Sequence, residues 1–283
     1  MDACLYNEVE EYAEYNAWWY CCTPMSVVND KNLPIPMFIR GDDLEYGLRN
    51  MKHLILMNGI CVWHEPFENK YSSFLNYYIL RNLLYDNALH YPHYSKWDFL
   101  KRLYKTTARE LVYYRYKNVE LLFRGVEDFY KGVDFLENTD TEQLHKEIMA
   151  AGYKAVPVEQ LNMRFSYPAY QKSLKEQERK PRRLFRFATL NGLLLPAHKN
   201  VITSMAMCRP INFFGAKRVM QYDASSKKAF IVERDRKQMM QLLKQLFKLT
   251  LKTLTVYDYH MKDFKKNVDK VTNIDFWRKY LGI

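Results

Sequence analysis

The pattern of hydrophobic and polar positions divides the chain into a beginning with short apolar runs, a long helical middle and a later part with short β-branched runs. Near the beginning, residues 33–40 ("LPIPMFIR") and residues 60–65 ("ICVWHE") are apolar runs of strand length. Between them, residues 42–59 start with a helical pattern and end in a turn. The order strand, helix, strand predicts α/β packing for this part of the chain.

The middle of the chain carries apolar residues at helical spacing. This pattern predicts four helical segments, which cover residues 69–89, 95–116, 118–136 and 139–153. The last segment opens with Thr139 three residues before Glu142, which is the spacing of a capping box. The sequence therefore predicts Thr139 as the N-cap of that helix.

Beyond Pro181 the apolar runs become short and strand-like. Four of them are separated by turn residues: "RLFRFATLNGLLLPA" (183–197), "VITSMAM" (201–207), "RVMQYD" (218–223) and "KAFIVER" (228–234). The last two runs predict a hairpin around residues 223–228. From about residue 234 the pattern becomes helical again and predicts closing helices.

The first closing helix, residues 234–254, has two different faces. Its apolar stripe consists of Met239, Leu242, Leu243, Leu246 and Leu249. Its opposite, mostly basic face consists of Lys237, Gln241, Lys244, Lys248 and Lys252. The stripe is predicted to be buried. The basic face is then either a solvated surface or a contact with an anionic membrane surface.

Composition narrows the class of partner. The chain has 283 residues, 48% of them hydrophobic, which supports a packed core in one or two domains. Its net charge of +11 favours anionic partners, which are nucleic acids, phosphorylated substrates or anionic membranes. No nucleic-acid-binding motif accompanies the basic runs, so nucleic acid is the least favoured of the three. No apolar run reaches 18 residues, so no membrane-spanning helix is predicted.

Missing motifs exclude several classes of enzyme. The phosphate-binding loop, the glycine fingerprint of dinucleotide-binding folds and the G-x-S-x-G nucleophile elbow are all absent from the sequence. The five cysteines form no C-x-x-C pair, and they predict buried thiols in a reducing compartment.

Two adjacent acids, Asp42 and Asp43, stand where the first apolar run meets the helical pattern. Asp42 lies three residues before Glu45, so it is predicted as the helix N-cap with Glu45 bonding back to it. Because a helix has one N-cap, Asp43 needs a separate explanation. As the first helical residue it would be favoured by the helix dipole, and a carboxylate facing a crevice there can act as a general base.

Two further positions are candidates for ligand binding. His64 ends the second predicted strand and would share an edge with Asp43 if the two strands are neighbours; the alternative is a surface histidine before a proline. Trp18 and Trp19 cannot both face one core if the chain is extended there. Either one of them is an exposed platform for a sugar or a base, or both pack under a loop.

Four segments, in this order and spacing, resemble the galactofuranosyltransferases of family 2, which build bacterial cell-surface galactan from UDP-galactofuranose. These segments are "WWYCCTP", "PMFIRGDDLEYGLR", "GICVWHEPFENKY" and "YYILRN". The later run "RVMQYDASSKKAFIVERD" is similar to the β-rich tail of the same proteins.

The resemblance implies a GT-A fold and an inverting reaction. It implies that Asp43 is the base that takes the proton of the acceptor hydroxyl, with Asp42 beside it in the substrate site. It further implies that Trp18 and Trp19 line the acceptor site. His64 would be a ligand of a divalent metal, Mn²⁺ or Mg²⁺, which stabilises charge on the departing UDP.

The chain also departs from the family pattern. Gly41 precedes the aspartate pair where the family often has Trp, and Phe67 ends the Trp-His motif in place of Trp. Both positions fall near the acceptor, so the identity of the acceptor is open. No Asp-x-Asp metal motif occurs, and the family's nucleotide-binding half would precede Trp18. The expectation is therefore the later part of such an enzyme, inactive alone, with the other metal ligands supplied by the earlier half.

The predicted fold class is mixed α/β. It comprises part of a GT-A-type catalytic domain (1–94), a helical region (95–180) and a β-rich C-terminal domain with terminal helices (181–283). Expected partners are a UDP-sugar donor, a glycan or lipid-linked glycan acceptor, an anionic membrane surface and a second copy of the chain, with no nucleic acid. The expected location is cytoplasmic, at the inner face of the cell membrane. The alternative function is a non-catalytic glycan-binding or assembly module.

Overall fold

The computed structural model describes residues 18–55, 62–63 and 71–283. These residues form a mixed α/β structure, which confirms the predicted fold class. The first six helices are α1 (Asp42–Asn50), α2 (Leu75–His90), α3 (Lys96–Val112), α4 (Tyr116–Phe129), α5 (Val133–Asn138) and α6 (Thr141–Ala151). The chain continues through β1 (Val156–Pro157), α7 (Tyr167–Lys175), α8 (Lys180–Ala188), β2 (Lys199–Ser204), α9 (Pro210–Phe213), β3 (Ala216–Asp223), β4 (Lys228–Glu233), α10 (Arg236–Asn267) and α11 (Ile274–Leu281).

The helical middle of the chain forms with two corrections. The single helix predicted over residues 118–136 is two helices, α4 and α5, separated at Gly132, whose φ is +81°. The other correction is at a helix end. The N-cap of α6 is Asp140, whose Oδ1 accepts the N–H of Gln143 at 2.9 Å. The prediction of Thr139 was wrong because Thr139 already ends the preceding helix α5 as its C-cap. An aspartate one residue later is an equally good cap, so the helix begins there.

The core is built around the contact between α2 and α4. Gly125 of α4 lies directly against the backbone of Tyr77 in α2, because a Cβ at Gly125 would stand 2.2 Å from the Tyr77 carbonyl oxygen. Three aromatic rings from α2, α4 and α10 fill the space beside this contact, with centroids 4.6–6.1 Å apart: Tyr85, Phe129 and Phe264. The small residue at the crossing lets the two helices approach closely enough for these rings to meet.

The sheet that the described residues form has four strands in the order β1-β4-β3-β2. Strands β3 and β4 form the predicted hairpin, in which Val219 pairs with Val232 and Asp223 pairs with Lys228. Strand β2 joins β3 in parallel, with Val201 opposite Val219. The run 201–207 was thus correctly predicted as a strand, and β2 ends at Ser204.

The predicted strand at residues 33–40 is wrong. Ile35 and Met37 are buried as a strand would require, but this segment pairs with no strand of the sheet. Phe38 and Arg40 have positive φ angles of 74° and 64°, which interrupt an extended backbone. Two prolines also remove ladder donors. Of the second predicted strand, 60–65, the structure describes only Val62 and Trp63, and neither lies in a strand.

The strand-like run at residues 183–197 is also wrong, because it forms the end of α8 and a series of turns. Pro181 stands in the first turn of α8, where its fixed φ favours a helix. The Arg186 guanidinium then binds both oxygens of Glu178, at 2.7 and 3.0 Å. After the helix, Leu190, Asn191 and Gly192 all have positive φ angles, which an extended strand cannot contain.

The predicted domain boundaries at residues 94 and 180 stay a prediction. The thiol prediction is partly wrong, because Cys208 is buried whereas Cys21 and Cys22 are exposed; Cys4 and Cys61 lie outside the described residues. In the part of the chain that the structure describes, we find no helix that is both long and apolar enough to cross a membrane.

Candidate functional site

The pair Asp42–Asp43 opens α1, but Asp42 is not its N-cap. The cap is Gly41, whose carbonyl accepts the N–H of Glu45 at 2.8 Å and whose φ is +91°. Glycine adopts this left-handed conformation without steric cost. A Cβ there would also stand 2.8 Å from Oδ2 of Asp86. The N-cap prediction for Asp42 was therefore wrong, and Asp42 and Asp43 are the first and second residues of the helix.

Glu45 does not bond back to the start of the helix as predicted. Its side chain is fully buried, and its two oxygens accept from Nε and Nη2 of Arg49, each at 2.9 Å. His90 Nε2 of α2 lies 3.4 Å from Oε1 of the same carboxylate. Glu45 thus ties α1 to α2, which leaves Asp42 and Asp43 as the half-buried acids of the first turn.

A fourth carboxyl group, Asp86 of α2, lies behind the pair. It is only 5% exposed, and its Oδ1 has no hydrogen-bond partner among the described residues. Burial, together with the charges of Glu45, Asp43 and Asp42, raises the pKa of Asp86 to about 8. Burial also raises the pKa of Asp42, to which the charge of Asp43 contributes. At neutral pH, therefore, Asp86 is predominantly a protonated carboxylic acid.

This protonated acid makes a prediction about stability. Between about pH 4 and pH 8 the folded state keeps a proton on Asp86 that the unfolded state releases, so stability falls as pH rises. The fall is up to about 1.4 kcal/mol per pH unit and ends above pH 8. Urea unfolding at pH 5, 6.5, 8 and 9 should show that Asp86→Asn has lost this slope. Parallel pH profiles of wild type and variant would contradict the assignment.

An open cavity of about 710 Å³ lies against the second half of α1. Trp18 lines it and packs edge-to-face on Tyr46, with ring centroids 5.7 Å apart. Arg49, Asn50 and Asn32 add polar groups to the wall. An aromatic ring beside several hydrogen-bonding side chains suits a sugar, which offers both apolar C–H faces and hydroxyl groups.

The structure brings Trp18 and the aspartate pair to the same helix. Asp43 precedes Tyr46 by three residues, so the two side chains are neighbours on one side of α1. Asp42 and Asp43 do not line the cavity themselves; they lie about one helical turn from it. Trp18 is 42% exposed and Trp19 is 55% exposed, so neither is a core residue; Trp19 is not part of the cavity wall.

The predicted metal ligand, His64, lies outside the described residues. Among the residues that are described, no group of three or more His, Cys, Asp or Glu side chains is placed to hold a metal ion. The described acids around Asp43 form no such group by themselves, and no chemical step is assigned to a metal here. The requirement for Mn²⁺ or Mg²⁺ stays a prediction.

The arrangement can accept a proton at Asp43. Its Oδ1 accepts the N–H of Leu44 at 2.9 Å, and the described residues form no hydrogen bond to its Oδ2. The start of a helix favours negative charge at this position. A carboxylate with one oxygen fixed and the other without a hydrogen bond from the described residues can serve as a general base.

Sequence reasoning missed Asp86, although a signal for it exists. Helix α2 reads as an apolar helix, yet it buries polar residues at helical spacing, such as Asn82 and Asp86. Buried polar side chains in an apolar helix need partners or a function. Their position four residues apart places Asn82 and Asp86 on one face, which is the face that α1 meets.

Two curated proteins are similar to part of this chain, and both are called galactofuranosyltransferase GlfT2. The protein from Mycobacterium tuberculosis is 29% identical over 130 residues, and the one from Mycolicibacterium smegmatis is 31% identical over 133 residues. Each match covers 44% of this chain and 20% of the relative. No family model matches the chain. The similarity relates part of this chain to galactofuranosyltransferases, and the chain matches one fifth of the relatives' length.

Proposed function

We propose that this chain carries the acceptor side of a glycosyltransferase that moves galactofuranose from UDP-galactofuranose to a hydroxyl group of a glycan. The observation that carries the proposal is the half-buried carboxylate of Asp43, fixed by the N–H of Leu44, one helical turn from the cavity that Trp18 lines. The similarity to galactofuranosyltransferases supports the choice of sugar. Because that match covers one fifth of the relatives, the activity of the complete enzyme is part of the proposal.

In the proposed reaction Asp43 takes the proton from the acceptor hydroxyl. The acceptor oxygen then forms a bond to the anomeric carbon of the donor sugar while the bond from that carbon to UDP breaks. Attack from the face opposite the leaving group inverts the anomeric centre. The Trp18 ring would hold the acceptor sugar by its apolar face, and Asp42 would stand beside the reacting hydroxyl. Trp19 is proposed as a second aromatic contact of the acceptor.

The proposal is tested by sugar transfer to a synthetic galactofuranose oligosaccharide. The chain is assayed alone and fused behind the part of M. tuberculosis GlfT2 that precedes the matched segment. We expect the fusion to add hexose units from UDP-galactofuranose but not from UDP-galactopyranose. Transfer should stop in EDTA and return with Mn²⁺ or Mg²⁺, which tests the metal prediction.

Two results would overturn the proposal. Transfer that persists after Asp43→Asn would remove the carboxylate from the reaction. Binding of the oligosaccharide by the chain, with no transfer by the fusion, would instead favour the glycan-binding module that the sequence leaves open.

Helix α10 is the proposed contact with an anionic membrane surface. Met239, Leu242, Leu246 and Leu249 are buried as predicted, but Leu243 is exposed, which corrects the predicted stripe. Lys252 forms an ion pair with Glu127, so its charge is partly neutralised. Lys244 and Lys248 remain exposed beside Phe247, which is 61% exposed. The proposed contact therefore combines two lysines with an apolar side chain.

Changing Lys244 and Lys248 together to Gln should weaken binding to anionic vesicles roughly 30-fold, since each lysine near such a surface contributes about 1 kcal/mol. Co-sedimentation is measured against the fraction of anionic lipid and against salt. The matched control is the double change of Lys265 and Lys266 to Gln, which removes the same charge near the other end of α10. Equal binding by both double variants would exclude this face of the helix.

A further inference from the structure

The segment that leads into the aspartate pair has an unusual backbone. Three of its residues have positive φ angles: Phe38 at 74°, Arg40 at 64° and Gly41 at 91°. For the two residues that are not glycine, this conformation is sparsely populated and costs of order 1 kcal/mol or more each. Such a backbone persists only when its surroundings hold it in place.

Two adjacent residues of α2 hold this segment. The Asn82 amide donates to the carbonyl oxygens of Ile39 at 2.8 Å and Arg40 at 2.6 Å. The Arg81 guanidinium donates through Nη2 to the carbonyl of Met37 at 2.8 Å. Arg81 Nε also donates to Asn82 Oδ1 at 2.9 Å, which fixes which end of the amide faces the segment.

Arg81 is itself fixed by contacts with two tyrosine side chains, Tyr77 and Tyr78. Its guanidinium carbon lies 4.9 Å from the ring centroids of both Tyr77 and Tyr78. Nη1 of Arg81 donates to the Tyr77 hydroxyl at 3.2 Å, and that hydroxyl donates to Asp128 Oδ2 of α4 at 2.8 Å. The hydrogen bonds thus run from the α2–α4 core to the backbone just before Asp42. Arg81 and Asn82 are 1% and 2% exposed.

The free-energy cost of burying Arg81 and Asn82 indicates the role of their hydrogen bonds to the segment. Phe38 and Arg40 are exposed, so carbonyl groups near them could be hydrated by water if the segment were free. Burying a guanidinium and an amide to bind these carbonyls costs desolvation free energy that solvation would avoid. From this part of the chain, Ile35 and Met37 enter the main hydrophobic cluster, and Ile39 packs against a second one. A fixed conformation of the segment is what the buried polar pair adds.

We propose that Arg81 and Asn82 form a clamp that sets the conformation of residues 37–41 and so fixes the position of Asp42 and Asp43. In the proposed transferase, on which this role rests, both are positioning residues for the base. They touch neither substrate, and they act through the backbone that carries Asp43. A displacement of the order of 1 Å at a reacting group lowers turnover about 10²-fold, so such a clamp has a measurable effect.

The test compares Asn82→Asp with Asn87→Asp. The first variant keeps an oxygen that can accept from Arg81. Its ionised carboxylate has no hydrogen to donate to the carbonyl groups of the segment. The second makes the same isosteric change about 1.4 turns further along α2. Asn87 is 4% exposed, and its amide nitrogen has no partner among the described residues. Hydrogen exchange is measured in the full chain at the amides of Met37 and Glu45, which flank the segment and donate to the carbonyls of Ile35 and Gly41. Turnover is measured in the fusion described above.

We expect Asn82→Asp to raise exchange at the Met37 and Glu45 amides roughly 10-fold or more. Its kcat should fall roughly 10–100-fold with little change in KM. Lowering the pH should partly restore both, because a protonated acid can again donate to a carbonyl. Asn87→Asp should leave exchange at these residues and kcat near wild type. If Asn82→Asp does not fold, Asn82→Ser, whose hydroxyl is too short to reach both carbonyls, takes its place.

The two measurements separate the clamp from the proposed function. Unchanged exchange in the Asn82 variant overturns the clamp, whatever the turnover. Increased exchange with unchanged kcat overturns its positioning role. If exchange increases in the Asn82 variant but the wild-type fusion transfers no sugar, the clamp is supported and the proposed function is overturned.

Discussion

Replacing Asp43 with Asn should lower sugar transfer roughly 10²–10⁴-fold, which is the usual contribution of a general base. The amide cannot take the proton of the acceptor hydroxyl, but its oxygen can still accept the N–H of Leu44 as the carboxylate does. We therefore expect the free energy of unfolding to change by about 0.5 kcal/mol or less. The measurement is kcat in the transfer assay together with urea unfolding.

Asp42→Asn is the matched control for that experiment. Asp42 is the neighbouring acid of the same helical turn, and burial together with the charge of Asp43 raises its pKa. Because Gly41 caps the helix, removing the Asp42 charge loses no cap and relieves repulsion, so stability should hold or rise. Its effect on kcat should be smaller than that of Asp43→Asn. Near-normal turnover in Asp43→Asn would show that another group takes the proton.

The change Gly125→Ala adds one methyl group, and we expect it to destabilise the protein more than a methyl group added elsewhere in the core. The new Cβ would stand 2.2 Å from the carbonyl oxygen of Tyr77 and 3.2 Å from its carbonyl carbon. These are backbone atoms in the first turn of α2, so the helices themselves must move apart. We expect a loss of roughly 3 kcal/mol or more in the free energy of unfolding, measured by urea titration.

Gly215→Ala separates this packing effect from the general cost of replacing a glycine. Gly215 has a φ of +70°, but nothing lies within 4 Å of the position that a Cβ would take. Only the backbone conformation then opposes the substitution, at about 1–2 kcal/mol. A Gly125→Ala variant no less stable than Gly215→Ala would mean that the contact between α2 and α4 adapts easily.

The helices and the hairpin could be predicted because their signals are local. The apolar spacing that indicates α2 or α3 repeats over four turns, and the polar loop after Asp223 separates two β-branched runs. The strand predictions failed where composition and backbone conformation disagree. Residues 33–40 are apolar but contain left-handed residues, and Leu190 begins three consecutive left-handed positions in another apolar run. Neither feature is visible in hydrophobicity.

The candidate site was only half predictable for a different reason. The adjacent acids and the resemblance drew attention to Asp42 and Asp43. Asp86 lies behind this pair and Asn82 binds the backbone just before it, both across more than 40 residues of sequence. A single sequence does not show which faces of two distant helices pack together. The polar residues inside an apolar helix were the available clue, and they indicate a buried network without naming its partner.

The length of α10 has a consequence for how the protein unfolds. Its 32 residues span about 48 Å, and it packs on α2, α3 and α4 in turn. Because α10 contacts several helices along its length, a loss of structure in one of them affects the packing of the others. Denaturant or mechanical load that disrupts one of these helices also weakens the contacts that α10 makes with the other helices. The helical part should therefore resist partial unravelling and yield in a single concerted step.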